Sequence, residues 1–199
     1  MTSSFWNERY SEQEFVYGTE PNTFLKEQLA TLMAGKILFP CEGEGRNAVF
    51  AAQQGWQVNA FDQSEEGFKK AQQLARQNNV EVHYQIADAL AVEYPKESFD
   101  VIALIYAHFP STIRQEVHQK MVSWLKPGGC IILEAFNPTQ LKNSSGGPKD
   151  ITMLLTMEIL EENFKGLTIE ALAYETIILQ EGKFHQGEAE VVRFVGRKK

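Results

Sequence analysis

The chain has 199 residues, enough for one domain and too few for two of ordinary size. It is 43% hydrophobic and 11% aromatic, which excludes a disordered segment, and a net charge of −7 with scattered Lys and Arg argues against a nucleic-acid partner. Cys41 and Cys130 fall in separate strand-like segments and no secretory leader or run of about 20 apolar residues is read, so a reduced, cytoplasmic setting without membrane contact is expected.

Residues 1–20 are polar but carry Phe5, Trp6, Tyr10, Phe15 and Tyr17, and read as a lid or short helix packed on the body. From Pro21 an amphipathic helix is predicted, with Phe24, Leu25, Leu29, Leu32 and Met33 on one stripe and Gly35 at its end. Short apolar strands at 36–39, 57–61 and 82–86 then alternate with helices at 45–54 and 64–78. The run FDVIALIY at 99–106 is apolar almost throughout, as expected of a strand covered on both faces at the centre of a sheet. A helix at 111–124 leads through LKPGG into a strand at 130–135.

This alternation predicts an α/β fold with a doubly wound, mostly parallel sheet and helices on both faces. The pattern changes after a loop at 137–150 and a helix at 151–164. Two strand-like segments, 167–180 and 188–195, flank the turn formers EGKFHQG and predict a C-terminal antiparallel hairpin, for seven strands in a Rossmann-like domain over 1–199. Residues 1–24 are expected to act as an entry segment, and 137–150 as a loop on the substrate side.

The segment ILFPCEGEGRNAVFAAQQGWQVNAFD, residues 37–62, carries the chemistry. Gly43 and Gly45 follow a strand and open a helix, where a missing Cβ allows a sharp turn and a close approach of backbone to ligand. Asp62 ends the next parallel strand, so its carboxylate can accept from both hydroxyls of a ribose lying across the strand tips. Asp88, after the third strand, stands at the same rim and with Ala89 can meet an adenine edge. An adenosine-type ligand is implied. The glycine spacing with Ala48 also satisfies the dinucleotide fingerprint, so an NAD-dependent oxidoreductase is an alternative; it would need a second mononucleotide-binding half, which the predicted hairpin replaces.

The chain resembles the class I S-adenosylmethionine-dependent methyltransferases, and within them the small-molecule branch of tellurite-resistance and thiopurine methyltransferases. The matching pieces are CEGEGRNA at 41–48, FDQS at 61–64, Asp88 with Ala89, FDVIALIYAHFP at 99–110, LKPGG at 125–129, FNPTQL at 136–141 and GGPKD at 146–150. The resemblance implies S-adenosyl-L-methionine as cofactor, held by Glu42, Gly43, Gly45, Asp62, Gln63, Asp88, Ala89, Ile105 and Tyr106. Two departures stand out: Phe39 occupies a position usually acidic in that family, and Cys41 one usually glycine. A non-catalytic cofactor-binding regulatory domain is the reading those departures would favour.

Methyl transfer from a sulfonium is an in-line displacement that needs alignment and exclusion of water more than covalent help. The acceptor is expected to be a small molecule, a thiol or chalcogen oxyanion among the options. His108, in YAHFP after the central strand, is the candidate base, while His83, His118 and His185 suggest neither a second base nor a metal site. Tyr10, Tyr17 and Phe24 are candidate lid residues, since aromatic faces attract a sulfonium, and Arg114 and Lys149 can reach the acceptor side. Oligomeric state is left open.

Overall fold

A computed structural model describes residues 2–199. Strand β1 (Lys36–Pro40) pairs in parallel with β2 (Gln57–Asp62) from Lys36↔Gln57 to Pro40↔Phe61, and on its other side with β4 (Phe99–Ile105). With β3 (His83–Ile86), β5 (Leu125–Phe136), β6 (Leu167–Glu181) and β7 (His185–Lys198) they form one seven-stranded sheet in the order β3-β2-β1-β4-β5-β7-β6. Only β7 runs antiparallel to both of its neighbours. The predicted α/β, mostly parallel sheet ending in an antiparallel hairpin is the fold observed.

Strand β4 lies at the centre because it can be buried on both faces: Val101 through Ile105 are all within the core. One face packs Phe99, Trp124, Phe164 and Phe194, and the other Phe24, Phe39, Trp56 and Val58. The covering helices are α1 (Ser3–Tyr10), α2 (Thr23–Leu29), α3 (Arg46–Gln53), α4 (Glu65–Gln77), α5 (Ser111–Trp124) and α6 (Met157–Asn163). Helix α4 shows why they form: the Ser64 hydroxyl accepts from Gly67 N, Glu65 and Glu66 lie in the positive first turn, and Ala71, Leu74 and Ala75 face the core.

Four boundaries differ from the sequence reading. Helix α2 stops at Leu29, the last side chain of its stripe to be buried, and Met33 is 94% exposed. The predicted helix at 151–164 divides into a 3-10 turn, Ile151–Met153, and α6, because Leu155 N donates to Phe136 O and draws the intervening chain onto the sheet. Strand β5 begins at Leu125 instead of Cys130, with a register break that sets Phe99 opposite Leu125 and Val101 opposite Cys130. Strand β7 begins at His185, well before the predicted 188, so that Glu181 and His185 close the hairpin as paired residues.

The N-terminal segment is fastened over the rim formed by the C-terminal ends of β1, β2 and β4. Val16 N and Tyr17 N donate to the Glu44 carboxylate at 3.2 Å each, and Lys183 N donates to Val16 O at 2.9 Å. Gly182, at φ +65°, touches this segment through backbone alone: a Cβ there would lie 2.5 Å from Gly18 N and from Val16 O.

Candidate active site

A cavity of about 400 Å³ opens at this rim, where open α/β sheets bind their ligands. Its first wall is the turn after β1. Cys41, Gly43 and Gly45 all have left-handed backbone, with φ of +54°, +59° and +88°. Cys41 therefore retains the conformation for which glycine suits its position, with a side chain that conformation disfavours. Phe39, where the family resemblance leads one to expect an acid, is fully buried core.

The two glycines act differently from the sequence expectation. A Cβ on Gly43 would stand 2.5 Å from the Tyr10 hydroxyl, and one on Gly45 would stand 2.7 Å from Ala71 Cβ. They allow the turn and the close packing of α1 and α4, while the cavity wall itself is made by Cys41, Glu42, Glu44, Arg46 and Asn47. The Tyr84 hydroxyl, donating to Gly43 O at 2.7 Å, fixes the loop from the β3 side.

Asp62 is buried, its two carboxylate oxygens accepting from Gly43 N at 3.1 Å and Ser64 N at 2.8 Å. Burial raises Asp62 to about 6, against the partial relief of the Ser64, Gly43 and Gln63 amides. Glu42 accepts from Ala48 N at 2.7 Å, and burial raises it to about 7, against the Ala48 amide and the Arg46 guanidinium. Gln63, Asp88, Ala89, Ile105 and Tyr106 line the same cavity, Asp88 from the solvent side. Tyr106 has φ +52° and donates its hydroxyl to Glu134 at 2.8 Å.

Of the acceptor-side candidates, Tyr10, Tyr17, His108 and Lys149 line the cavity. Phe24 does not: it packs in the core beneath Arg193, whose guanidinium stands 4.8 Å from its ring. Arg114 is likewise turned away, donating to Thr152 O at 2.7 Å. His108 has both nitrogens occupied: Nδ1 donates to Met153 O at 2.9 Å and Nε2 accepts from Phe136 N at 3.3 Å. Burial takes it down to about 4, the Met153 carbonyl offsetting only part. As placed, it has no lone pair free for an acceptor's proton.

Sequence reasoning missed a polar cluster behind the far wall, of which Arg46 and His185 reach the cavity. Arg46 Nη2 lies 2.8 Å from Glu181, and the same Glu181 oxygen is 3.1 Å from His185 Nδ1. Asn22 Nδ2 donates to Glu134 at 2.6 Å, and Arg193 Nε pairs with Glu134 at 2.7 Å. The only sequence signal was Glu181 and His185 across EGKFH, which reads as solvent-facing turn until the hairpin brings the pair beneath Tyr17.

Residues 37–129 match the family model of a methyltransferase domain. The fold of the chain is the Rossmann-like fold of solved S-adenosylmethionine-dependent methyltransferases. A comparison with curated proteins gives no significant match. Among solved structures, the chain resembles a protein of echinomycin biosynthesis studied for conversion of a disulfide bond into a thioacetal group, with TM-score 0.79, 16% identity, and 99% of this chain and 89% of that chain covered. It also resembles TehB from Haemophilus influenzae, with TM-score 0.72, 15% identity, and 99% and 67% covered. A third likeness is to Burkholderia thailandensis 1,6-didemethyltoxoflavin-N1-methyltransferase, solved with 1,6-didemethyltoxoflavin and S-adenosylhomocysteine, with TM-score 0.71, 16% identity, and 99% and 87% covered. At such identities these are likenesses of fold. Among the described residues no helix is long and apolar enough to cross a membrane.

Proposed function

We propose that this crevice binds S-adenosylmethionine across the ends of β1, β2, β3 and β4 and serves in-line methyl transfer to a small organic acceptor. The single observation that carries the reading is that Glu42, Asp62 and Asp88, from three successive strand ends, face one cavity roofed by Tyr10 and Tyr17. The cofactor is a net cation with an ammonium, a sulfonium and two ribose hydroxyls, and this donor set is complementary to it. Asp62 takes the hydroxyls, Asp88 and Ala89 frame the adenine, and Glu42 stands nearest the ammonium. Ile105 and Tyr106 flank the methionyl part, while Gly43 and Gly45 act through the shape of the loop.

Bound cofactor supplies an activated methyl on a good leaving group; the chain supplies orientation and dryness. Residues 2–24 serve as the lid, residue 1 lying outside the described residues, and 137–150 as the loop bordering the acceptor. The aromatic walls, Phe109, Phe136 and Phe184 among them, favour an organic acceptor over a small inorganic oxyanion. The resemblance to the tellurite-resistance and thiopurine branch supports the small size of the acceptor. An NAD-dependent oxidoreductase is disfavoured because β7 and β6 stand where a second mononucleotide-binding half would be needed.

Asp62→Ala is expected to weaken cofactor binding by about 1–3 kcal/mol, roughly ten- to hundredfold in Kd, read by calorimetry. Unchanged affinity would remove the ribose assignment. Acid should act in the same direction. Asp62 at about 6 and Glu42 at about 7 lie above their ordinary values of 3.8 and 4.5, so the free protein loses stability as pH rises through that window, while the ionised forms are those a cationic ligand favours. Affinity is therefore expected to fall as pH drops below about 7, by up to about tenfold per unit for each carboxylate that must ionise, with proton release on binding at neutral pH. A pH-independent Kd with no buffer-dependent heat would contradict it.

A further inference from the structure

We propose that His185, oriented by Glu181, is the general base that removes the acceptor's proton, and that the acceptor is accordingly a planar aromatic hydroxyl or ring N–H compound bound un-ionised. This rests on the methyl-transfer reading above and adds to it the base and the acceptor class.

The geometry comes from the hairpin. His185 is 6% exposed, and its Nδ1 stands 3.1 Å from the Glu181 carboxylate, so the proton resides on Nδ1. Glu181 is itself held by Arg46 at 2.8 Å; burial alone would raise it, but its bond to His185 and the Arg46 charge hold it at about 2. Nε2 is thereby left as a lone pair. It has no hydrogen-bond partner among the described residues, and it is not among the buried atoms closed off without one, while the ring lines the cavity. His108, by contrast, spends both nitrogens on backbone.

The imidazole is clamped as a base in a dry site would be. Tyr17, Tyr106 and Phe136 meet it edge to face, with centroids at 4.6, 4.8 and 5.4 Å. Gly146 brings bare backbone against it, since a Cβ there would lie 2.7 Å from His185 Cδ2. Flat walls select a flat acceptor: Phe136 stacks on Tyr106 with an interplanar angle of 24° and on His108 with 12°. An acceptor that arrives as an anion gains nothing from a preoriented carboxylate–imidazole pair, whereas a hydroxyl or N–H that becomes acidic only as the methyl bond forms does.

In the step, a lone pair of the acceptor oxygen or nitrogen bonds to the methyl carbon while the carbon–sulfur bond breaks and its electron pair stays on sulfur. The acceptor's proton passes to Nε2 of His185. The products are the methyl ether or N-methyl compound, the neutral thioether and an imidazolium paired with Glu181, which then returns its proton to solvent. The charged and titratable groups around the imidazole are Glu181 from β6, Arg46 from α3, Arg9 from α1, His108 after β4, and the Tyr17 and Tyr106 hydroxyls. The arginines disfavour the imidazolium and Glu181 favours it; burial sets the ring below its ordinary value, so it is a neutral base at physiological pH.

The test uses the full chain with S-adenosylmethionine and two probes of like shape, 2-naphthol and 2-naphthalenethiol, the second far more readily ionised. His185→Asn is expected to lower 2-naphthol methylation by about 10²–10⁴-fold and abolish its dependence on an acid-limb pKa, with thiol methylation and cofactor Kd within about threefold of the parent. Glu181→Gln should move that limb and lower turnover less, as a positioning residue does. Equal losses with both probes, or none with 2-naphthol, would overturn the proposal. Should neither probe turn over, or His185→Asn not fold, nitrogen NMR of the parent decides. In the S-adenosylhomocysteine complex, added 2-naphthol must shift Nε2 of His185; a protonated Nε2 before addition, or one that does not move, overturns the proposal. Failure of the protein to bind S-adenosylmethionine at all would instead remove the functional reading beneath it.

Discussion

Glu44→Ala is expected to cost about 3–5 kcal/mol of folding stability and to free the N-terminal segment from the active site. Glu44 is 4% exposed and its carboxylate accepts from three donors: Val16 N, Tyr17 N and Lys70 Nζ, the last at 2.8 Å. Alanine leaves the Lys70 ammonium buried without its counter-charge and two amides without an acceptor, and it is this stranding of partners that costs most. Lys70→Met in the same chain removes the stranded charge, so the double variant should recover part of the loss in denaturant melts, a coupling that a double-mutant cycle measures. Hydrogen exchange at the Val16 and Tyr17 amides should quicken in both variants, because neither restores their acceptor. Exchange as slow as in the parent would mean that the Lys183–Val16 contact holds the lid alone.

The part of this site that could be read from sequence is the part built by strands. Strand ends, helix caps and the glycine turn follow from local pattern, and Asp62, Asp88 and Tyr106 line one cavity. The part that could not be read depends on distant pairing. Glu44 looks like a solvent-facing residue between two glycines until Val16 and Lys70 arrive from either side of it in sequence. Likewise Glu181 and His185 sit in a segment of turn formers, and only the register of β6 on β7 turns both inward. His108 illustrates the opposite error: its position beside the cavity was legible, but the backbone groups of Met153 and Phe136 that occupy its nitrogens were not. Phe24 and Arg114 have residue types that suit a lid and the acceptor side, yet the helix phase of each turns the side chain away.

These two kinds of residue do different work. In the proposed function the strand-end carboxylates meet the cofactor, and local motif suffices to place them. The hairpin and the 137–150 loop supply the rest of the cavity lining, and fold likeness alone does not transfer their chemistry between proteins.

The glycine turn gives the second large effect, because Gly45 joins the site to the helix behind it. Gly45→Ala is expected to lose about 2–4 kcal/mol, from a left-handed backbone together with a collision. The new Cβ would meet Ala71 Cβ at 2.7 Å and Ala71 Cα at 2.9 Å, so a backbone atom of α4 stands in the way and no rotamer relieves the contact. Helix α4 must move, and with it Ser64 and the Asp62 carboxylate that accepts its amide. Gly55 separates the two causes. Its φ of +87° matches the +88° of Gly45, but nothing lies within 4 Å of its Cβ position. Gly55→Ala should therefore show the conformational part alone, about 1 kcal/mol, and leave cofactor affinity unchanged. The excess at Gly45 measures the packing of the turn on α4 and should appear again as weakened cofactor binding. If both substitutions cost the same in denaturant melts, α4 yields without resistance, and the turn is held by its own hydrogen bonds to Glu42 and Tyr84 rather than by the helix.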